Sequence, residues 1–265
     1  MTPGWDPAGV RGIRWAVLAL VTALAPAVEM IPDSVVPYQP VYLLAQPDLA
    51  RGKFQVSLAI HLIRIPAAVE DPTAAGGLDL GYSQTSFWDL AGTSRPIEDR
   101  SYRPEAWYHQ PLPGLLIEEV AIDLGVSHES NGLTGPSSRS FNAIFLRPEA
   151  VIPLARGWSL DGAPRLRAYV GDMSENPDLP RFRGHVDAEV AVNSPGGWRM
   201  AVAAHLGDRG DRATLQVDLT YPLSLWTDHG LRAYLDLQVF DGWGETLLDY
   251  DQHSRRGMIG LAFVR

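Results

Sequence analysis

His128 and Ser130 stand two residues apart, and Asn142 follows a short polar segment later. An imidazole, a hydroxyl and a side-chain amide are the parts of an acyl-transfer site. The base must reach the hydroxyl proton, and a third group must hold the base in one tautomer. Histidine and serine two apart on one strand can approach each other, but His-x-Ser alone is common and specifies little. The surrounding pattern gives it weight. Val120, Ile122, Leu124 and Val126 share one phase of a strand beginning near Leu116, and Glu119, Ala121, Asp123 and Ser127 share the other. The apolar phase runs on into His128 and Ser130. On the next strand Asn142 shares a phase with Ile144 and Leu146, while Arg147 and Glu149 take the other. All three groups therefore fall on an apolar face.

The elements that must position them read as strands. Phe54, Val56, Leu58 and Ile60 interleave with Lys53, Gln55, Ser57 and Ala59. The same period of two recurs from Arg181, Arg199, Arg212 and Leu231, and it sorts each set to one face of a strand. Eleven strands are expected, beginning near residues 53, 78, 101, 116, 140, 163, 181, 197, 211, 230 and 255, with residues 36–46 as a twelfth. The apolar sets run for about ten residues, the length of a tilted membrane strand. Trp88, Trp107, Tyr108, Trp158, Trp198, Tyr221 and Trp226 fall near strand ends, as at a membrane interface. The fold class expected is all-β, a twelve-stranded antiparallel transmembrane β-barrel. On its apolar face a polar group is costly at the midplane and cheaper near the headgroups. An even strand count gathers the connections near 46–52, 89–100, 128–140, 172–180, 207–211 and 241–254 at one end, expected to face outward.

Composition narrows the function. The 265 residues carry 31 Asp plus Glu against 22 Lys plus Arg, a net charge of -9, which argues against nucleic acid as a partner. The chain has no cysteine, so disulfides, thiolate metal sites and cysteine nucleophiles are excluded. Arg11 and Arg14 precede an apolar run from Trp15 to Ala25, and Ala25-Pro26-Ala27 offers a cleavage site. Residues 1–27 read as a secretory signal peptide and 28–265 as a single barrel domain. His61, His185 and His205 fall in the lumen phase, as do the wall residues Asp123, Asp187 and Glu189, whereas Glu245 and Asp249 read as shaping an outer loop.

His128-Glu129-Ser130-Asn131-Gly132, followed by Ser138-Arg139-Ser140-Phe141-Asn142, resembles the signature of the outer membrane phospholipase A family. Tyr82–Trp88, Glu175-Asn176-Pro177-Asp178 and Gly242–Tyr250 continue the resemblance in order over residues 37–264. It implies a bacterial outer-membrane enzyme that needs calcium and hydrolyses acyl esters of phospholipids and lysophospholipids. By the same resemblance Ser130 attacks the ester, His128 takes its proton and Asn142 holds the imidazole. The Gly132 amide, with calcium-bound water, stabilises the oxyanion. Calcium is implied at Ser94, the Leu133 carbonyl, Ser138 and Glu175. The chain departs from the family where Leu133 replaces an arginine, where Gly135 replaces an acidic residue, and at its end in Phe263-Val264-Arg265.

The resemblance also implies an active homodimer in which Ser94 of one chain completes the calcium site near Ser138 of the other. Gln84 shares the apolar phase of Leu80, Tyr82 and Trp88, and is expected as a lone amide directed at hydrocarbon that a partner barrel would satisfy. Two other classes compete with the esterase: a non-catalytic barrel acting as pore or scaffold, and a soluble all-β carbohydrate-binding domain. Ester hydrolysis in detergent micelles separates the first from the enzyme, and extraction behaviour separates the second.

Overall fold

A computed structural model describes residues 35–65, 75–94, 96–112, 119–225 and 233–265. The segment read as a signal peptide, residues 66–74, Trp226, and the starts of the strands expected near 116 and 230 lie outside the described residues. The strands are β1 (Val35–Val36), β2 (Val41–Ala45), β3 (Arg51–Ile65), β4 (Gly76–Asp89), β5 (Ile97–Pro111), β6 (Glu119–Ser130) and β7 (Ser140–Pro153). They continue as β8 (Ser159–Gly162), β9 (Arg165–Val170), β10 (Val186–Asn193), β11 (Arg199–Leu206), β12 (Ala213–Pro222), β13 (Tyr234–Trp243) and β14 (His253–Val264).

Strands at neighbouring barrel positions pair antiparallel, and β14 pairs with β2 to close the sheet. Fourteen segments make twelve barrel positions because two strands are broken. β1 and β2 both lie along β3, with Pro37 and Pro40 between them. β8 and β9 both lie between β7 and β10, parted at Ala163-Pro164, where proline has no N–H to give the ladder.

Period two sets the wall. Leu124, Val126, Ile144, Leu146, Leu237 and Val239 are exposed on the outside. Asp123, Glu129, Lys53, Asp236 and Gln238 are buried inside, where pairing replaces water. His61 Nδ1 meets Asp79 Oδ1 at 2.5 Å, and Lys53 Nζ donates to Gln238 Oε1 at 2.7 Å. Arg147 donates twice to Asp123 Oδ2, whose partner oxygen Oδ1 meets His109 Nδ1 at 2.6 Å. Asp187 and Glu189 face Arg167 and Arg199, and His205 also faces Asp187, as the lumen phase requires.

Three expectations are corrected. Residues 181–183 belong not to a strand but to a short helix, α1 (Leu179–Arg183), and the strand begins at Val186. Pro180 suits a helix start, and Gly184, at φ 59°, ends it. Leu179 and Phe182, three apart, then share one face and sink into an apolar roof with Phe141, Leu247 and Tyr250. Trp107 is not in an interfacial belt. It is buried against Ala59 and Phe145, stacked on Tyr38 at 4.7 Å, and the missing side chains of Gly81 and Gly125 make room for it. His185 is exposed at the start of β10 instead of lying inside, with Nδ1 at 3.2 Å from the Arg167 carbonyl. Trp158 and Trp198 do meet edge to face at one barrel end, at 5.1 Å.

Leu124 sits midway along β6 and is 56% exposed on the outer wall. Leu124→Arg is expected to destabilise the barrel in lipid vesicles by about 2–4 kcal/mol. Denaturant titration of the reversibly folded protein checks this, and a cost near zero would mean that this face does not meet hydrocarbon.

Candidate active site on the outer wall

The antiparallel register of β6 and β7 places His128 opposite Asn142 and Ser130 opposite Ser140. His128 Nδ1 lies 2.9 Å from Asn142 Oδ1. An amide oxygen only accepts, so Nδ1 is the donor in this bond, and in the neutral ring that leaves Nε2 as the acceptor. Ser130 shares the outward phase two residues further along β6, a rise of about 6.6–6.8 Å. Asn142 is exposed, and His128 and Ser130 are half-buried, above the apolar residues Leu124, Val126, Ile144 and Leu146. His128 and Asn142 are therefore brought into hydrogen-bonding contact, and Ser130 shares their outward face near the barrel rim with no hydrogen bond to His128 among the described residues.

Gly132 turns the chain just beyond Ser130. Its φ of 69° is left-handed, and an added Cβ would stand 2.8 Å from the Tyr102 ring, so both backbone and space require glycine. Leu133 is exposed on the same turn. Glu175 Oε2 accepts the Ser140 hydroxyl at 2.8 Å, and the Ser138 hydroxyl also donates to Glu175. These two bonds, Ser138 first, hold the exposed Glu175 carboxyl below the usual glutamate range. Ser138, Ser140 and Glu175 thus converge. Ser94 does not join them: it is exposed on the separate β4–β5 connection, and among the described residues no hydrogen bond ties it to the group. The donors are hydroxyl, carboxylate and carbonyl oxygens on exposed loops, a chemistry that suits calcium. Gly135, at φ 66°, has open space where its Cβ would be.

Gln84 is not a lone amide. Its Oε1 accepts the Tyr82 hydroxyl at 3.0 Å, and its Nε2 donates to Ser86 Oγ at 3.2 Å. Residues two apart on a strand share a face, so a polar stripe satisfies the amide without a partner.

The support behind the site carries no role in the sequence reading. Glu129 lies between His128 and Ser130 and points inward. It accepts Arg183 Nη1 at 2.9 Å and Ser101 Oγ at 2.8 Å, while Arg183 Nε donates to the Gly244 carbonyl at 3.0 Å. Asn131 Oδ1 accepts the amides of Leu133 and Arg139, and its Nδ2 donates to the Ser137 carbonyl, which closes the loop. Asn176, fully buried, accepts the Ser140 amide at 3.0 Å. Tyr250 donates to Asp178, and Asp99 accepts the amides of Leu247 and Leu248, so two further connections are pinned to the same rim. Phase alone marks Glu129 as inward. Glu245, read as shaping a loop, is buried against Lys53 and Arg256, and Asp249 accepts Gln252 Nε2 at 3.1 Å.

A second cluster, His109, Asp123 and Glu149, offers ligand atoms within 4.8 Å of one another inside the barrel. Arg147 already supplies positive charge there, with Nη2 at 2.5 Å from Asp123 and 3.8 Å from Glu149. The group forms an ion-pair network with Arg147.

A model of the phospholipase A1 family matches residues 35–263. Phospholipase A1 of Klebsiella pneumoniae is 28% identical over 215 residues, covering 79% of this chain and 68% of that protein. Phospholipase A1 of Escherichia coli is 27% identical over the same length and shares. Among solved structures, an asparagine-to-alanine active-site mutant of outer membrane phospholipase A from Escherichia coli superposes with a TM-score of 0.72. It is 22% identical, with 89% of this chain and 94% of that one covered. A calcium-bound dimer of the Salmonella typhi outer membrane phospholipase gives the same TM-score and coverage at 24% identity. With its apolar outer wall and polar interior, this barrel is of the bacterial outer-membrane type. The chain belongs to the phospholipase A1 family of outer-membrane ester hydrolases.

Proposed function

We propose that the protein is a calcium-dependent phospholipase of the outer membrane that hydrolyses acyl esters of phospholipids and lysophospholipids on the outside of its barrel. The observation that carries this reading is the His128–Asn142 hydrogen bond on the lipid-facing wall, with Ser130 beside it. Ser130 Oγ attacks the ester carbonyl carbon while His128 Nε2 takes the hydroxyl proton. The tetrahedral species collapses as the carbon–oxygen bond to the glycerol breaks, and His128 returns the proton to the departing oxygen. Water activated by His128 then cleaves the acyl-serine ester and releases the fatty acid. The Gly132 amide is assigned to the oxyanion, at a turn that only glycine fits. Asn142 fixes the imidazole tautomer, in keeping with the active-site asparagine of the Escherichia coli protein. Ser130→Ala and His128→Ala are each expected to lower kcat by several orders of magnitude while the barrel still folds, and Asn142→Ala by less. Micellar phospholipase assays, with heat-modifiable electrophoretic mobility to report folding, check this. Wild-type turnover in Ser130→Ala would reassign the nucleophile.

Ser138, Glu175 and the Leu133 carbonyl would hold calcium, which when bound supplies positive charge beside the developing oxyanion. Ser94 would reach this group from a second copy, because within one chain it stands apart from it. Glu175→Gln is expected to raise the calcium concentration for half-saturation at least tenfold. Gly135→Asp should lower it, since aspartate tolerates the left-handed backbone and the space beside Gly135 is open. Calcium titration by calorimetry in detergent measures both; an unshifted Glu175→Gln curve moves the metal elsewhere.

The active form is a homodimer with Gln84 at its interface, by analogy with the calcium-bound Salmonella typhi dimer. Gln84 must leave Tyr82 and Ser86 to reach a partner, so its net contribution is small, about 0.6 kcal/mol. Cross-linking with calcium should therefore show Gln84→Leu with a dimer fraction reduced by less than half. Complete loss of dimer would make Gln84 the dominant contact.

The loops holding Ser94, Ser130 and Glu175 face the cell exterior, where barrel connections run longer.

A further inference from the structure

Arg100 lies on β5 between Asp99, which points inward to the Leu247 and Leu248 amides, and Ser101, which points inward to Glu129. Alternation therefore directs Arg100 outward, in the phase of Tyr102. Tyr102 is the cross-strand partner of Ser130, and Arg100 is two residues nearer the rim on the same face. Strand spacing and rise put its Cα roughly 8–9 Å from that of Ser130.

The lumen arginines are all spoken for. Arg103 and Arg165 face Glu105, Arg147 faces Asp123, Arg167 faces Asp187, Arg183 faces Glu129 and Arg199 faces Glu189. Arg100 is half-buried, and among the described residues it has no ion pair and no side-chain hydrogen bond. A guanidinium left without a partner at the lipid wall marks a place where an anion from the lipid phase completes the site.

Resting on the esterase reading above, we infer that Arg100 binds the phosphodiester of the substrate headgroup and so makes the enzyme prefer phosphate-bearing lipids over neutral acylglycerols. The depths agree. With an ester at Ser130, the acyl chain runs down the wall over Leu124, Val126, Ile144 and Leu146. The glycerol turns upward, which carries the phosphate to the rim side of Ser130, where Arg100 stands. A guanidinium fork matches two phosphate oxygens at once. Arg100 is a specificity-determining residue: it touches the part of the substrate that does not react, and the tie positions the ester against Ser130.

Two readouts on the refolded full-length barrel in zwitterionic detergent test this. The first is the ratio of kcat/KM on phosphatidylglycerol to that on monoacylglycerol. Arg100→Gln is expected to lower this ratio about tenfold, chiefly through KM on the phospholipid, and Arg100→Lys to recover at least a third of it. The second is binding of fluorescent phosphatidylglycerol to Ser130→Ala protein, which should weaken about tenfold when Arg100→Gln is added. A ratio and an affinity that stay within twofold of their parents overturn the inference, whether or not the enzyme is active. A wild type that hydrolyses neither substrate, while binding still depends on Arg100, would instead sink the esterase reading and leave the phosphate site standing. Lipid A is the other source of phosphate at this depth. If added lipid A raises the melting temperature of wild type but not of Arg100→Gln, and the ratio does not move, the arginine serves neighbouring glycolipid and the inference falls.

Discussion

Hydrocarbon offers no hydrogen bonds, so each backbone N–H and C=O that crosses the membrane must find its partner within the protein. The β14–β2 ladder meets that demand by removing both sheet edges. Closure also fixes register, since a one-residue slip would turn the buried Asp123, Glu129 and Gln238 to lipid and Leu124 and Val239 inward. The apolar wall, the charged interior and the gathering of six connections at one end all follow from that closure. It further dictates that His128 and Asn142 face each other across a strand pair and that both look outward.

A polar trio on the lipid side is stable only near the headgroups, and only if its members satisfy one another. The His128–Asn142 hydrogen bond does so for two of them. The opposite face of the same strand is held more firmly. Glu129, between His128 and Ser130 in sequence, is buried and ion-paired to Arg183. Removing one partner of such a pair would leave a buried charge uncompensated, at a cost of about 3–5 kcal/mol. The outward groups therefore stand on a segment whose inward groups are fixed.

The barrel was legible because alternation is a direct consequence of strand geometry, and it survives in Val120–Ser130 and Asn142–Leu146 without knowledge of neighbours. The shared outward face of His128, Ser130 and Asn142 was legible for the same reason, since phase alone places all three there. What alternation could not show lay where the period stops governing. Residues 181–183 alternate polar and apolar, yet Pro180 and Gly184 delimit a helix, and the roof cluster rewards Leu179 and Phe182 on one side of it. Trp107 falls in the lumen phase, but its destination depended on Gly81 and Gly125, far away in sequence. Tyr82 and Ser86 satisfy Gln84 because residues two apart on a strand share a face. Asn176 and Asn131 act through backbone amides of other segments, and composition carries no trace of such contacts.

The short helix shows why the roof matters to the site. A strand continuing through residues 179–183 would have left the upper lumen open. Folding that stretch as α1 instead sends Arg183 inward, where one guanidinium ties Glu129 on β6 to the Gly244 carbonyl after β13. Asn176, three residues before the helix, holds the Ser140 amide, and Glu175 beside it takes the Ser138 and Ser140 hydroxyls. The same connection thus braces β6 from inside the barrel and presents a carboxylate to the loop outside it. The inner support of β6 and the outer carboxylate are thus set by a single turn of chain, so a disturbance of α1 reaches the strand that carries His128 and Ser130 without touching either side chain.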